Sequence, residues 1–258
     1  MLDYVNGLQK TARYAFARSD AAGLNIKKPT LTKALQRLAK ARRICNVRRG
    51  FYVIVPLEYS SAGILPPDWF IDDLMRHLAT PYYVGLLTAA SLHGAANQQP
   101  QEFQVVVPSR ERDIIRKNLR IRFFRNLQAT MMPTVRIKTF TGTIPVSTPA
   151  STALDLCRFA RRVGGPGAVL AVVSDLAAKI DLPALMASAR AETEIAQIQR
   201  FGWLLDRAGF SKLADPLADW LAERLPSKVR LDPSSGFRGH KKDARWQVIV
   251  NAKPEKEP

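Results

Sequence analysis

Residues Thr30 to Val55 read TLTKALQRLAKARRICNVRRGFYVIV. Leu31, Ala34, Leu35, Leu38 and Ala41 recur at three- and four-residue spacings, which predicts a helix with one buried face. The opposite face offers Thr32, Lys33, Gln36, Arg37 and Lys40. Beyond Arg43 the period changes, because ICNV and FYVIV read as strands about the turn VRRG, where Gly50 accepts a positive φ. This helix and hairpin carry seven Lys and Arg residues and no acid. A surface selected only for solubility mixes both signs, so the composition points to an anion that meets it.

Working outward from that stretch, Leu2, Val5 and Leu8 allow a short first helix. Ser19 and Asp20 are cap-type residues before AAGL, a second short helix that Gly23 helps to end, and NIKKPT is a turn containing Pro29. Helix, helix, turn, helix and a two-stranded hairpin with a basic tip make a winged helix-turn-helix pattern over residues 1–56. A DNA major groove admits a helix, and its base edges bond to Arg, Lys, Gln and Thr, the types projecting here. Gln36 and Arg37 are assigned to base reading, with Thr30 and Thr32 on the same DNA-facing side. Lys28, Lys33, Lys40, Arg48 and Arg49 are assigned chiefly to the phosphate backbone. Packing under the wing accounts for the apolar face better than membrane insertion does, and a basic face used for protein contact is the bland alternative.

The whole chain agrees with an anionic partner. Its 258 residues hold 39 Lys and Arg against 22 Asp and Glu, a formal net charge of +17. From Met1 to Pro56 there are twelve basic residues against Asp3 and Asp20, a formal +10, so the excess concentrates at the amino terminus. Cys45 and Cys157 lie far apart, neither in a CxxC pair, and read as small buried hydrophobes of a reducing compartment. With no signal-peptide core and no run of 18 apolar residues, the expected location is the cytoplasm, away from membranes.

Pro56, Pro66 and Pro67 interrupt periodic structure, so residues 57–68 are expected to be a linker or crossover. Residues 69–252 then form a larger mixed α/β domain, and residues 253–258 a polar tail. Within that domain WFIDDLMRHLA and Tyr82 to His93 read as helices, the second ended by Gly94. EFQVVVPS is a strand, RERDIIRKNL a short helix, and IRFFRN and TVRIKTFTGTIPVST strands with a hairpin turn at Gly142. Between Glu102 and Gly142 nine Lys and Arg residues face three acids, a second basic region able to touch flanking DNA or an acidic protein. TPASTALDLCRFA is a capped helix, on which Asp155 reads as a surface residue or as the partner of an arginine. GGPG has no following Lys-Ser or Lys-Thr and reads as a turn between helices rather than a phosphate loop. Further helices cover AETEIAQIQRFGWLLDRAG and DPLADWLAERLP, and WQVIV is a last strand.

The catalytic signals are sparse. His77, His93 and His240 make no HxxxH pair, and His93 reads as a structural hydrogen-bonding residue. Asp72-Asp73 and the separated Glu192 and Glu194 sit beside no phosphate-cradling loop, so no catalytic residue, metal or cofactor is assigned.

Several segments together resemble the AbiEi family, the antitoxin and transcriptional autoregulator of bacterial type IV toxin-antitoxin systems associated with abortive phage infection. They are LTKALQRLAKARRICNVRRGFYVI, YYVGLLTAASLHGA, VSTPASTALDLCRF, QRFGWLLDRAG and RWQVIVN, in that order. The resemblance implies an α+β protein: an amino-terminal winged helix-turn-helix that binds operator DNA and represses its own operon, then a larger antitoxin domain. It implies a nucleotidyltransferase-like toxin as functional partner, counteracted without a stable complex being required. The family's recognition helix falls on Thr30 to Arg42, its wing on Val47 to Phe51, and its hallmark helical segment on Tyr82 to Gly94. Ile44-Cys45 follows Arg42-Arg43 where a glycine commonly relaxes the turn. The competing functions are a direct protein-interaction inhibitor of the toxin and a nucleic-acid-processing enzyme.

Overall fold

A computed structural model describes residues 1–24, 26–95, 100–116 and 118–253. In chain order the elements are α1 (Leu2–Lys10), β1 (Ala15–Ala17), α2 (Lys28–Lys40), β2 (Ile44–Arg48), β3 (Phe51–Ile54), α3 (Ile71–His77), β4 (Tyr83–Val84), α4 (Leu86–Leu92), β5 (Phe103–Val107), β6 (Ile114–Arg116) and β7 (Leu119–Arg125). There follow β8 (Thr134–Lys138), β9 (Thr143–Ser147), α5 (Pro149–Arg158), α6 (Gly165–Ala177), α7 (Leu182–Ala191), α8 (Ile195–Arg207), α9 (Ser211–Ala222), β10 (Val229–Arg230), β11 (Lys242–Asp243) and β12 (Val248–Ile249). The class is α+β. Contacts divide the chain into two units, the first made of Met1–Tyr82, Gln101–Asn126 and Arg136–Pro145, the second of Tyr83–Pro100, Leu127–Val135 and Val146–Pro258.

In the first unit β3 is the centre of a three-stranded antiparallel sheet, with β1 on one side and β2 on the other. Phe16 pairs with Tyr52 and their rings stack at 5.4 Å. One side of the sheet meets the apolar faces of α1 and α2, where Val5, Leu8, Phe16, Leu31, Leu35, Ile44, Tyr52 and Ile54 form one core. Each leucine or isoleucine so buried contributes about 1.5–3 kcal/mol. The second short helix expected at AAGL is a 3-10 turn over Asp20–Leu24, held by an Ala17 N–H bond to the Asp20 carboxylate at 3.0 Å. Ala41 is exposed rather than buried because α2 has already ended.

The end of α2 explains the missing glycine. The N–H groups of Arg42 and Arg43 bond to the carbonyls of Ala39 and Leu38 at 3.0 and 2.9 Å, the paired closure that needs a left-handed residue. Arg42 occupies that position itself, with φ +55°. A non-glycine residue there costs about 1–2 kcal/mol.

The other strands wholly within this unit run β6, β7, β5, with β7 antiparallel to β6 and parallel to β5. The helix expected over RERDIIRKNL is therefore corrected to strand β6. Ile114 is buried opposite Ile121 while Ile115 faces solvent, the alternation of a strand, and β-branched neighbours favour it. Residues 57–68 contain 3-10 turns at Leu57–Tyr59 and, overlapping its end, Pro67–Trp69, and bury Ile64 and Leu65.

In the second unit, helices α4 to α9 supply most of the core. Thr148 caps α5 by accepting the Ser151 N–H, and Asp181 caps α7 by accepting that of Ala184. Gly164, at φ +100°, precedes α6, so GGPG is the turn into that helix. The helix expected from Tyr82 to His93 is shorter than its sequence range. Tyr83 and Val84 form β4 and pair into a sheet through Val84 and Val146, Gly85 is extended, and α4 begins at Leu86. Gly94 then closes it at φ +64°. β10, β12 and β11 form a small separate sheet. Of the expected polar tail, residues 254–258 lie outside the described residues.

Candidate nucleic-acid interface

The candidate interface is built on α2 and the β2–β3 hairpin. α2 begins with Lys28-Pro29, has no acid in its first turn, and has Lys27 at its cap position without a side-chain cap bond. Its first N–H groups and its dipole therefore face outward with positive charge beside them, an arrangement that favours an approaching anion. Leu31, Ala34 and Leu35 are buried and Leu38 packs against the same core, so the remaining helix surface is fixed in direction. Lys28, Thr30, Lys33, Gln36, Arg37 and Lys40 are all exposed on it. These six form one polar face free to bond to an approaching partner.

Thr32 differs from its neighbours. It is half-buried, its hydroxyl donates to the Lys28 carbonyl at 2.9 Å and accepts from the Arg18 guanidinium at 2.7 Å. Arg18 is the functional candidate that local sequence reading missed. Its backbone N–H donates to the Gly50 carbonyl at 2.7 Å, so one residue braces the hairpin tip through its backbone and α2 through its side chain. Only the pairing of β1 with β3 brings it there, and three residues of strand leave no pattern to read.

At the tip, Gly50 turns the chain at φ +76° and the register of β2 on β3 shifts between Asn46 and Arg48, an irregularity that increases local twist. Arg49 is exposed, and its carbonyl lies 3.2 Å from His77 Nε2. Arg48 is only half-exposed and forms an ion pair with Glu111 at 2.9 Å. A phosphate reaching Arg48 would compete with that carboxylate.

Charge is distributed to match. The first unit holds 22 Lys and Arg against nine acids, a formal +13 of the chain's +17. Part of the second basic region is internally balanced, since Arg122 pairs with Glu102 at 2.9 Å, with Asp113 3.9 Å away. Arg110, Arg112, Arg125, Arg136 and Lys138 remain exposed.

The second unit presents a different kind of organisation. Tyr83 donates its hydroxyl to Asp155 at 3.1 Å, and Asp155 is 1% exposed, which corrects its reading as a surface residue. His93 Nε2 lies 2.7 Å from the Ser147 carbonyl, a structural contact. Ser147 and Thr152, then Ser151 and Ser188, are joined by buried hydroxyl bonds at 2.7 and 3.0 Å. Arg158 bridges Glu192, at 2.5 Å, and Glu194. Burial opposes ionisation of Glu194, but Gln197 and Arg158 outweigh it and hold its carboxyl below the usual range. Burial pushes the Cys157 thiol up to about 12, which makes it inert. Among the described residues no cluster of three or more His, Cys, Asp or Glu could hold a metal ion, and no helix is long and apolar enough to cross a membrane.

Residues 83–207 match the family model described as the AbiEi antitoxin C-terminal domain. No curated protein matches the chain. Among solved structures, the crystal structure of the RV2827C protein from Mycobacterium tuberculosis is similar with a TM-score of 0.66 and 16% identity, covering 95% of this chain and 89% of that one. At that identity the likeness is one of fold, and it extends across both units.

Proposed function

We propose, from the match of residues 83–207 to the AbiEi antitoxin C-terminal domain, that the chain is the antitoxin of a type IV toxin-antitoxin system that also binds operator DNA and represses its own operon. The antitoxin role rests on the family match. The DNA-binding role rests on one observation, the acid-free face of α2 beside a basic hairpin tip. In this reading the first 56 residues are a winged helix. Gln36 and Arg37 read base edges, with Thr30 beside them, while Lys28, Lys33, Lys40 and Arg49 hold phosphates. Thr32 acts from behind this face through Arg18, and Arg48 contributes where a phosphate displaces Glu111.

The partner implied is a nucleotidyltransferase-like toxin of the cytoplasm. The role is regulatory rather than enzymatic in this reading, which rests on the match to an antitoxin family. A titration of the full chain against a fluorescent duplex from its own promoter and a scrambled duplex tests the DNA reading. Tighter binding of the promoter duplex supports it, and equal affinities refute sequence reading.

A further inference from the structure

In the first unit a pocket of about 380 Å³ lies between the end of α2, strand β2, residues 60–64 and the end of β6. We propose that it binds a small phosphorylated organic anion of mononucleotide size.

Charge is the first argument. Arg42 and Arg116 line this pocket, and among the described residues no Asp or Glu does. Elsewhere in the same unit Arg48, Arg76 and Arg122 each hold a carboxylate within 2.9 Å. Neither Arg42 nor Arg116 forms an ion pair among the described residues, and the described side-chain bond of Arg116 is to the neighbouring Ile115 carbonyl at 3.0 Å. Two exposed guanidiniums lining one concavity offer a phosphate dianion charge-assisted bonds from both sides.

Shape supplies the second argument. Ile44, Ile64, Ala39 and Ala62 give the pocket apolar walls, with the Asn46 amide among them. An apolar cavity of roughly 300–1,000 Å³ with a few convergent polar groups is the usual form of a small-molecule site. A backbone phosphate of a duplex could reach the two arginines but would leave those walls empty.

Backbone supplies the third. The last carbonyls of a helix normally repel an anion, but here those of Leu38 and Ala39 are taken by the N–H groups of Arg43 and Arg42. The same closure holds Arg42 at φ +55°, a conformation that costs free energy and aims its side chain from a rigid turn.

Cys45 lines the pocket and gives it a reporter. It is half-buried, whereas the other cysteine, Cys157, is buried and inert. The experiment measures alkylation of Cys45 by iodoacetamide in the full chain with 5′-AMP, adenosine or inorganic phosphate, paired with calorimetric titration of 5′-AMP. At twice its Kd, 5′-AMP is expected to slow alkylation about threefold, while adenosine does not. Arg42→Gln and Arg116→Gln are expected to abolish protection with thermal unfolding unchanged, and Ser61→Trp, which fills the opening from an exposed loop, to block calorimetric binding. Absence of binding at millimolar 5′-AMP, or equal protection in both arginine variants, overturns the proposal. Equal protection by inorganic phosphate overturns the organic part of the ligand. Loss of duplex affinity in Arg116→Gln without any 5′-AMP protection assigns the arginines to DNA and overturns it as well. No DNA or toxin enters the first two measurements, so their failure leaves the reading of α2 untouched.

Discussion

A Cβ placed on Gly202 would lie 2.1 Å from Cζ3 of Trp246, with two more indole atoms at 2.3 Å. The glycine sits in the middle of α8 and the indole, fully buried, lies flat over the space its side chain would occupy. Trp246 Nε1 also donates to Asp206 at 2.6 Å, one turn further along the same helix. In an isolated helix Gly→Ala stabilises by about 0.5–1 kcal/mol. Here overpacking, typically about 1–3 kcal/mol and more against a rigid ring, sets the sign. Gly202→Ala is therefore expected to lower the urea midpoint, and a raised midpoint would show that the indole does not pack there.

Arg158 is the second stability test. Its partner Glu192 has a side chain only 1% exposed, so Arg158→Met leaves a buried carboxylate without its cation, a loss of about 3–5 kcal/mol at neutral pH. The pH dependence follows from Glu194, whose folded pKa is depressed. Its contribution is present above the unfolded carboxylate value and is lost as pH falls through the lower folded value. The difference between wild type and Arg158→Met, read from unfolding curves at several pH values, should narrow in acid. A constant difference would mean that the arginine stabilises by packing alone.

Much of the first unit was legible locally, and the reason is physical. The three- and four-residue spacing of Leu31, Leu35 and Leu38 and the alternation after Arg43 are short-range patterns, so α2, β2 and β3 follow from them. The Arg48–Glu111 pair, 63 residues apart, follows only from folding, and so does the placement of Arg18 against Thr32. Asp155 was misread because a carboxylate between leucines has no local signature of its buried partner, Tyr83, 72 residues away. In the second unit the legible segments were those that resemble a family. The structure gives them a reason: YYVG meets LDLC through Tyr83 and Asp155, LHG meets VST through His93 and Ser147, and FGW meets RWQ through Gly202 and Trp246.

Arg42→Gly tests the closure of α2. Relief of the left-handed strain is worth about 1–2 kcal/mol, offset in part by the greater freedom of glycine in the unfolded chain. A small rise in thermal midpoint is expected. A fall of several degrees would mean that the Arg42 side chain holds the turn.

For DNA, the variants separate by role. Lys33→Ala and Arg49→Ala should weaken promoter and scrambled duplexes alike and lower the salt slope by about 0.9 each. Gln36→Ala and Arg37→Ala should mainly reduce the difference between the duplexes, by about 1–3 kcal/mol at the affected base pair. Arg48→Ala releases Glu111 and so should weaken binding and lower stability together. Unchanged affinities across all five variants would remove α2 and the tip from the interface.

The last prediction concerns how repression and antitoxin action divide. Truncation is a poor test, because residues 101–126 and 136–145 belong to the first unit while lying within the sequence of the second, so a cut near residue 69 removes part of one packed unit and leaves the rest. Point variants of the full chain avoid this. Gln36, Arg37, Lys33 and Arg49 are exposed and carry no structural bond through their side chains among the described residues, so replacing all four with alanine should leave the fold intact. If the segment similar to the AbiEi antitoxin domain, residues 83–207, neutralises the toxin by itself, this variant fails to repress its promoter yet still protects cells in which the toxin is expressed from an unrelated promoter. Copurification then separates the two modes of protection: rescue without a stable complex fits the type IV reading, and a tight complex favours direct inhibition. Loss of protection in the variant, with its thermal unfolding unchanged, would tie antitoxin action to the DNA-binding face and end the proposed division.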